Sequence, residues 1–200
     1  SCPDVARVGR QVRLPFYWPE WVLNPVSIRT FNALHYQRAR SRTVPQLIDW
    51  RRFFFPLDAL GAWSRAYGRR GLVQFQCVLP HATAEGGLEQ ILHTSQAARC
   101  PPFLAVLKEL GAEAGAFSFP MPGLTLALDY PATAAAQALL ERLDEIVLEH
   151  GGRFYLAKDA RMPASALHKT DPRAGAFARY RDARGFDKQF QSAQSERVQI

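Results

Sequence analysis

The chain has 200 residues, which is enough for one domain with a sizeable core or for one domain and part of another. Its 48% hydrophobic and 12% aromatic content excludes disorder over most of the length. No apolar run approaches the roughly 20 residues of a transmembrane helix. The three cysteines lack CxxC spacing, which argues against a disulfide framework or a zinc site and fits a reducing compartment. We therefore expect cytoplasmic localisation, with peripheral membrane association left open.

The net charge of +7 is unevenly distributed along the chain. Residues 1–70 carry 12 arginines and four acidic residues, whereas residues 71–200 carry 13 basic and 14 acidic residues. A basic front portion favours an anionic partner such as nucleic acid, a phosphorylated ligand, a membrane surface or a cofactor phosphate. It fits equally well a surface that docks on an acidic domain, and charge alone does not choose among these partners.

The first 70 residues alternate between proline-rich and helical patterns. Pro15 and Pro19 lie in an aromatic stretch that predicts an extended segment, and Val26–Gln37 has the spacing of a helix. Further on, we predict a strand or extended segment that ends at Phe55, a turn at Pro56, and a short helix that ends near Gly68.

From residue 71 onward the pattern predicts four strands and two helices. The order is strand–helix–strand–strand–helix–strand, with the elements at Leu72–Leu79, a helix capped by Thr83, Phe103–Lys108, Leu124–Tyr130, a helix capped by Thr133, and Arg153–Ala157. This order is typical of an α+β fold with a ferredoxin-like, split βαβ arrangement, in which an antiparallel sheet has both helices on one face.

The other face of that sheet should carry the polar strand residues. Because side chains alternate along a strand, Gln74 and Gln76 share a face, and Lys108 projects from the second strand. Thr125 and Asp129 share one face of the third strand, although the pattern does not fix which one. These residues predict a ligand-binding face, and an ordinary solvated face is the alternative.

Gly151–Arg161 follows the best helical pattern in the chain. Gly151 and Gly152 can provide the positive φ that ends a helix. The charged residues just past the fourth strand can point into a cleft. Alternatively, they form a surface salt bridge in which Asp159 pairs with Arg161 or Lys158.

Other functional classes have weak signals. The five histidines show neither HxH nor HExxH spacing, so we predict no metal site. Cys77 alternates with core residues and is interpreted as a buried small hydrophobe. An RNA-binding module of ferredoxin-like fold is the main alternative function, but the central strand lacks its aromatic signature, so we expect no nucleic-acid partner.

Five segments in register carry a family resemblance, namely Phe55–Gly68, Gly71–Pro80, Phe103–Lys108, Ser118–Gly123 and Gly151–Arg161. Together they resemble the C-terminal half of FAD-linked oxidoreductases of the vanillyl-alcohol-oxidase type. The resemblance is nearest to the decaprenylphosphoryl-β-D-ribose 2-oxidase group, which is related to sugar-lactone oxidases such as D-arabinono-1,4-lactone oxidase.

The resemblance implies a domain organisation and a reaction. It implies that residues 1–44 are an incomplete N-terminal part of the substrate domain, that residues 45–152 are the substrate (cap) domain, and that residues 153–200 complete an FAD-binding domain whose main part is missing. The implied reaction oxidises an alcohol C–H of a sugar-like substrate by hydride transfer to flavin N5. We expect the isolated chain to be inactive and not to bind FAD tightly, and a non-catalytic remnant of this fold is a further alternative.

The resemblance also implies roles for individual residues. Lys158 matches the catalytic lysine between flavin and substrate, and Tyr155 matches a tyrosine at the flavin edge. The implied substrate-pocket residues are Gln74, Gln76, Lys108, Leu57, Leu104, Val106, Phe54 and Thr125. At three of its positions the chain departs from the group, with Phe54 in place of tyrosine, Ala127 in place of cysteine and Thr125 in place of asparagine. The substrate is therefore left open between a small sugar and a polyprenyl-phosphate sugar.

Overall fold

The computed structural model describes residues 12–40, 50, 60–112 and 115–200. They fall into two compact units, divided between Gly71 and Leu72. The predicted strand to Phe55 and the turn at Pro56 lie outside the described residues. Among the helices that are described, none is both long and apolar enough to span a bilayer.

In its described residues, the first unit contains a long helix and a small parallel strand pair. Strands β1 (Val12–Arg13) and β2 (Leu60–Gly61) pair in parallel, and helix α1 spans Pro25–Arg40. The Asn24 side chain caps α1, because its Oδ1 accepts the first free backbone N–H groups, and proline is well suited to the first helical position. The predicted helix is thus confirmed, with both ends extended. The short helix before Gly68 is a 3₁₀ helix, Trp63–Tyr67.

The second unit is a four-stranded antiparallel sheet with helices. Its elements are β3 (Leu72–Pro80), α2 (His81–Ala97), β4 (Leu104–Leu110), β5 (Gly123–Pro131), α3 (Ala134–Glu149), β6 (Arg153–Phe154), α4 (Ala164–Thr170), α5 (Arg173–Asp182), α6 (Phe186–Gln189) and α7 (Ala193–Val198). The strand order is β4-β5-β3-β6, and every neighbouring pair is antiparallel. The predicted α+β class with an antiparallel sheet is confirmed.

The core of this unit lies between the sheet and helices α2 and α3. Phe75, Cys77 and Leu79 of β3 are buried together with apolar residues of both helices, among them Ile91 and Leu143. Each aliphatic side chain buried in this way contributes roughly 1.5–3 kcal/mol. Because strand side chains alternate, the even-numbered residues of β3 must lie on the opposite face, away from α2 and α3.

Two element boundaries differ from the predicted ones. Helix α2 begins at His81 after Pro80, and the Thr83 hydroxyl, instead of capping it, donates to the carbonyl oxygen of His150 at 2.7 Å. Strand β6 has two residues instead of five. Tyr155 N–H still donates to Gln76 O, but the next bond, from Lys158 N to Tyr155 O, closes a 3₁₀ turn within the chain. Hydrogen bonds within a local turn therefore replace the strand-to-strand hydrogen bonds that were predicted for residues 155–157.

Gly151 and Gly152 are required for different reasons. Gly151 has φ of +64° with open space around it, so Gly151→Ala should cost about 1 kcal/mol of unfolding free energy. A Cβ on Gly152 would lie 2.5 Å from Leu79 Cδ2 and 2.8 Å from the Val78 carbonyl oxygen. We therefore predict that Gly152→Ala costs about 3 kcal/mol in urea unfolding of the chain, because backbone cannot move aside easily. Equal losses in the two variants would contradict this assignment.

Candidate functional site

The sheet face turned away from α2 and α3, here called the open face, carries its residues as a regular grid. The strand register sets three residues side by side in each row, one from each of β4, β5 and β3. The rows are Leu104–Asp129–Gln74, Val106–Ala127–Gln76 and Lys108–Thr125–Val78. The open face thus brings together the predicted pocket residues of these three strands. Thr125 and Asp129, whose face the sequence pattern did not fix, lie on this same face.

Hydrogen bonds between neighbouring strands fix the two glutamine side chains. Gln74 Nε2 donates to Asp129 Oδ1 at 2.9 Å, and Gln76 Nε2 donates to Thr125 Oγ1 at 3.1 Å. The Thr125 hydroxyl in turn donates to Cys77 O at 2.8 Å. Each amide N–H₂ is therefore engaged within the sheet. The side-chain carbonyl oxygens of Gln74 and Gln76 accept no hydrogen bond from the described residues, so both can accept one from a ligand.

Burial differs strongly across the open face. Thr125 and Asp129 on β5 are only 1% and 3% exposed, whereas Lys108 on the edge strand β4 is exposed. The open face is therefore not uniformly exposed to solvent, as an ordinary solvated face of the sheet would be. The Lys108 ammonium forms no hydrogen bond or ion pair with a described residue. A cation without a partner at the edge of a polar, partly buried face is a suitable contact for an anionic group.

Tyr155 and Lys158 extend the site past the end of β6. Tyr155 N–H donates to Gln76 O at 2.9 Å, and its ring lies 4.6 Å from the Phe119 ring. Alternation after Phe154, which is buried in the core, places Tyr155 on the open face beside Gln76. Lys158 ends the 3₁₀ turn and is half-buried, and its ammonium has no partner among the described residues. No described hydrogen bond joins Lys158 to the open-face residues.

The predicted pairing of Asp159 with Arg161 or Lys158 is wrong. The Asp159 carboxylate pairs with Arg197, with 2.9 Å between Nη2 and Oδ2. Arg161 instead binds Asp144 of α3 through both guanidinium Nη atoms, at 2.8 and 2.7 Å. Burial raises the pKa of Asp144, and Arg161 opposes that rise. Sequence spacing could not find this pair, because its members are 17 residues apart and meet only where the chain after the 3₁₀ turn returns to α3.

A cavity of about 300 Å³ lies beside β6, and sequence reasoning did not anticipate it. Five aromatic residues, a buried carboxylate and several apolar side chains line it, including Phe117, Phe119, Tyr155, Leu167, Asp171 and Phe177. The available signal was the pair of phenylalanines in the connection between the second and third predicted strands.

The remaining candidate residues have structural explanations or lie outside the description. Leu57 and Phe54, two predicted pocket residues, are not among the described residues. Cys77 is completely buried, and burial raises the pKa of its thiol to about 12, so it is a core residue, as predicted. Within the described ranges, no three His, Cys, Asp or Glu side chains group closely enough to hold a metal ion.

Comparison with known proteins relates most of the chain to a named oxidase, although no family model matches it. The chain is 33% identical over 189 residues to the decaprenylphosphoryl-β-D-ribose oxidase of Mycolicibacterium smegmatis, an alignment that covers 94% of the chain and 40% of the relative. It is 32% identical over 162 residues to an uncharacterized protein in the mprA 5′ region of Streptomyces coelicolor, covering 80% of the chain and 44% of the relative. The chain thus spans about two fifths of the length of these relatives. The first of these likenesses confirms the predicted resemblance to the decaprenylphosphoryl-β-D-ribose oxidase group, of whose member the chain matches about two fifths.

Proposed function

We propose that the chain is the substrate-binding portion of an FAD-dependent oxidoreductase that oxidises an alcohol C–H of a sugar or sugar-like substrate. One observation carries the proposal: the chain aligns over 94% of its length with a named sugar oxidase. The open face supports it, because the polar residues that the resemblance assigns to the substrate pocket lie there in adjacent rows. We further propose that the sheet and its two helices form the ferredoxin-like cap domain of that enzyme.

The chemistry of the open face fits a hydroxyl-bearing substrate. The free carbonyl oxygens of Gln74 and Gln76 are acceptors at fixed positions for sugar hydroxyl groups. Ala127, which lies between Gln76 and Val106 in its row, adds no polar group to this part of the open face. Lys108 could pair with a phosphate, which a polyprenyl-phosphate sugar would bring and a free sugar would not. Both substrate classes remain within the proposal.

The residues near β6 fit a flavin. Tyr155 and Lys158 would hold the edge of its ring system, and the half-buried Lys158 ammonium has no competing partner among the described residues. No Gly-rich loop that precedes a helix and could cradle a pyrophosphate occurs in the sequence. We therefore propose that a separate FAD-binding domain holds most of the cofactor and that residues 153–200 complete it.

The proposed role of Lys158 is electrostatic. Bound FAD would supply the hydride acceptor of the reaction, its N5 atom. Lys158 would hold a fixed positive charge beside the site where negative charge develops. A preorganised cation of this kind stabilises a transition state without the cost of reorienting solvent. The turn bond from Lys158 N to Tyr155 O, at 3.0 Å, would limit the movement of the Lys158 backbone, from which the side chain projects.

Expression of the full gene product that contains this chain tests the proposal. We expect the purified protein to show the yellow flavin spectrum, and the 200-residue chain alone to show no saturable binding in a titration with FAD. A full-length protein that stays colourless with added FAD would remove the main support for the oxidoreductase assignment. Tight FAD binding by the isolated chain would contradict the proposed division of the flavin site. Cytoplasmic localisation, peripheral membrane association and the absence of a nucleic-acid partner stay predictions.

A further inference from the structure

Asp171 is the centre of a buried ionic cluster that neither the predicted site nor the comparisons assign. Its side chain is only 4% exposed and lies between two guanidinium groups. Arg173 binds it through Nε at 2.8 Å and Nη2 at 2.7 Å, and Arg153 Nε lies 3.4 Å from its Oδ2. A buried carboxylate with such partners is strongly held, since removal of one charge from a buried group of ions leaves the others uncompensated. We call Asp171, Arg153 and Arg173 the Asp171 cluster.

The Asp171 cluster also fixes the connection between β4 and β5. Arg153 Nη1 donates to the carbonyl oxygens of Ser118, Phe119 and Pro120 at 3.1, 3.3 and 3.0 Å. Arg173 Nη2 donates to Ser118 O at 2.8 Å. Three successive carbonyl groups, which lie outside the strands, thus accept hydrogen bonds from the two arginines that Asp171 holds. The position of residues 118–120 therefore depends on the Asp171 carboxylate, which lies more than 50 residues further along the chain.

Tyr155 is connected to this cluster from two sides. It lies two residues after Arg153 on the same stretch of backbone, and its ring is in contact with Phe119, with 4.6 Å between ring centroids. Elsewhere in the lining of the cavity, Phe117 stacks on Phe177 of α5, again with 4.6 Å between ring centroids. The Asp171 cluster thus holds together the segment that carries Tyr155 and the connection whose phenylalanines build the cavity around it.

We propose that Asp171 is a positioning residue that sets the orientation of the Tyr155 ring, and with it the shape of the cavity beside β6. The structural part of this inference is independent of the proposed function. Its effect on catalysis rests on the proposed function, in which Tyr155 lies at the flavin edge. Asp171 acts through Arg153 and the backbone of residues 118–120. It does not touch the reacting groups. Its loss should misplace Tyr155 without removing any group that binds substrate.

The isolated 200-residue chain provides the first test. In NMR spectra, the ring protons of Tyr155 should be shifted by the neighbouring Phe119 ring, and Phe119→Leu should identify that shift. We expect Asp171→Asn to abolish most of the same shift while the core methyl resonances of β3 and α3 stay in place. Asp182→Asn, at an exposed position at the end of α5, is the matched control and should change nothing. An unchanged Tyr155 ring in Asp171→Asn would overturn the proposal.

A second variant covers the case in which Asp171→Asn does not fold. Arg173→Gln removes one arm of the cluster at a side chain that is 25% exposed, so the fold should tolerate it, and it should reduce the Tyr155 shift in the same direction. A folded Arg173→Gln chain with the Tyr155 shift intact would contradict the inference.

In the full-length flavoprotein, Asp171→Asn should slow flavin reduction on the order of tenfold at unchanged flavin content. A colourless full-length protein would defeat the proposed function while leaving the NMR result on Tyr155 valid.

Discussion

Arg161→Met should lower the unfolding free energy of the chain by about 3 kcal/mol at neutral pH, because it leaves a buried carboxylate without its partner. Asp144 is 10% exposed at its side chain, and Arg161 provides both of its strong hydrogen bonds. Arg161 also donates to Leu140 O at 2.9 Å, so the variant leaves that carbonyl group without this donor. Arg142→Met, on the exposed side of α3, is the matched control. It should lower the unfolding free energy by about 0.5 kcal/mol at most.

The deficit of Arg161→Met should depend on pH in a defined direction. Burial is the largest cause that raises the pKa of Asp144 above its ordinary value of 3.8, Arg161 lowers it, and Asp159 and Glu141 raise it. Without Arg161 the native-state pKa rises further, so the folded variant binds the proton more tightly than the unfolded chain does. The loss of unfolding free energy in Arg161→Met should therefore be largest at pH 7 and should decrease as the pH falls through the raised pKa of Asp144. Urea unfolding at several pH values measures it, and a deficit that grows on acidification would contradict the assignment.

Lys158→Ala should reduce the rate of substrate-dependent flavin reduction by about 100- to 1,000-fold in the full-length flavoprotein. The reason is the loss of the one half-buried cation that the resemblance places between flavin and substrate. Because the Lys158 ammonium has no partner among the described residues, its removal should leave the fold and the flavin content unchanged. Stopped-flow absorbance of the anaerobic protein measures the rate.

Two further lysine variants make the Lys158 test specific. Lys169→Ala removes the same charge from an exposed position on α4 and should leave the rate unchanged. Lys158→Arg keeps the charge but changes its shape and reach, so it should recover part of the lost rate. Reduction kinetics of Lys158→Ala that match those of Lys169→Ala would show that Lys158 has no part in the chemistry.

The sheet could be predicted from the sequence because its information is local. The alternation of Val73, Phe75, Cys77 and Leu79 identifies a buried strand face, and the placement of Gln74 on the other face follows directly. The antiparallel order follows from the succession of strands and helices. The end of β6 could not be predicted in this way, because residues 153–157 suit a strand equally well and only the competition between ladder and turn bonds decides it.

The ionic part of the site could not be predicted, because its partners are distant in sequence. Spacing suggested that Asp159 pairs with a cation two residues away or less, whereas its partner Arg197 lies 38 residues further along the chain. The Arg153–Asp171 pair of the Asp171 cluster is also distant in sequence, and its members meet only because α4, which ends just before Asp171, packs against β6. Family resemblance, in contrast, supplied Lys158 and Tyr155, which no periodicity in this sequence distinguishes from surface residues.

Anaerobic mixing of the full-length gene product with candidate substrates tests the central claim most directly. The candidates are a polyprenyl-phosphoryl pentose, a free pentose and a sugar lactone, and the readout is the flavin absorbance. We predict that at least one of them bleaches the flavin of the unmodified protein and that Lys158→Ala, loaded with the same amount of flavin, stays yellow. Bleaching at equal rates in both proteins, or a flavin that remains oxidised with every sugar substrate, would contradict the account.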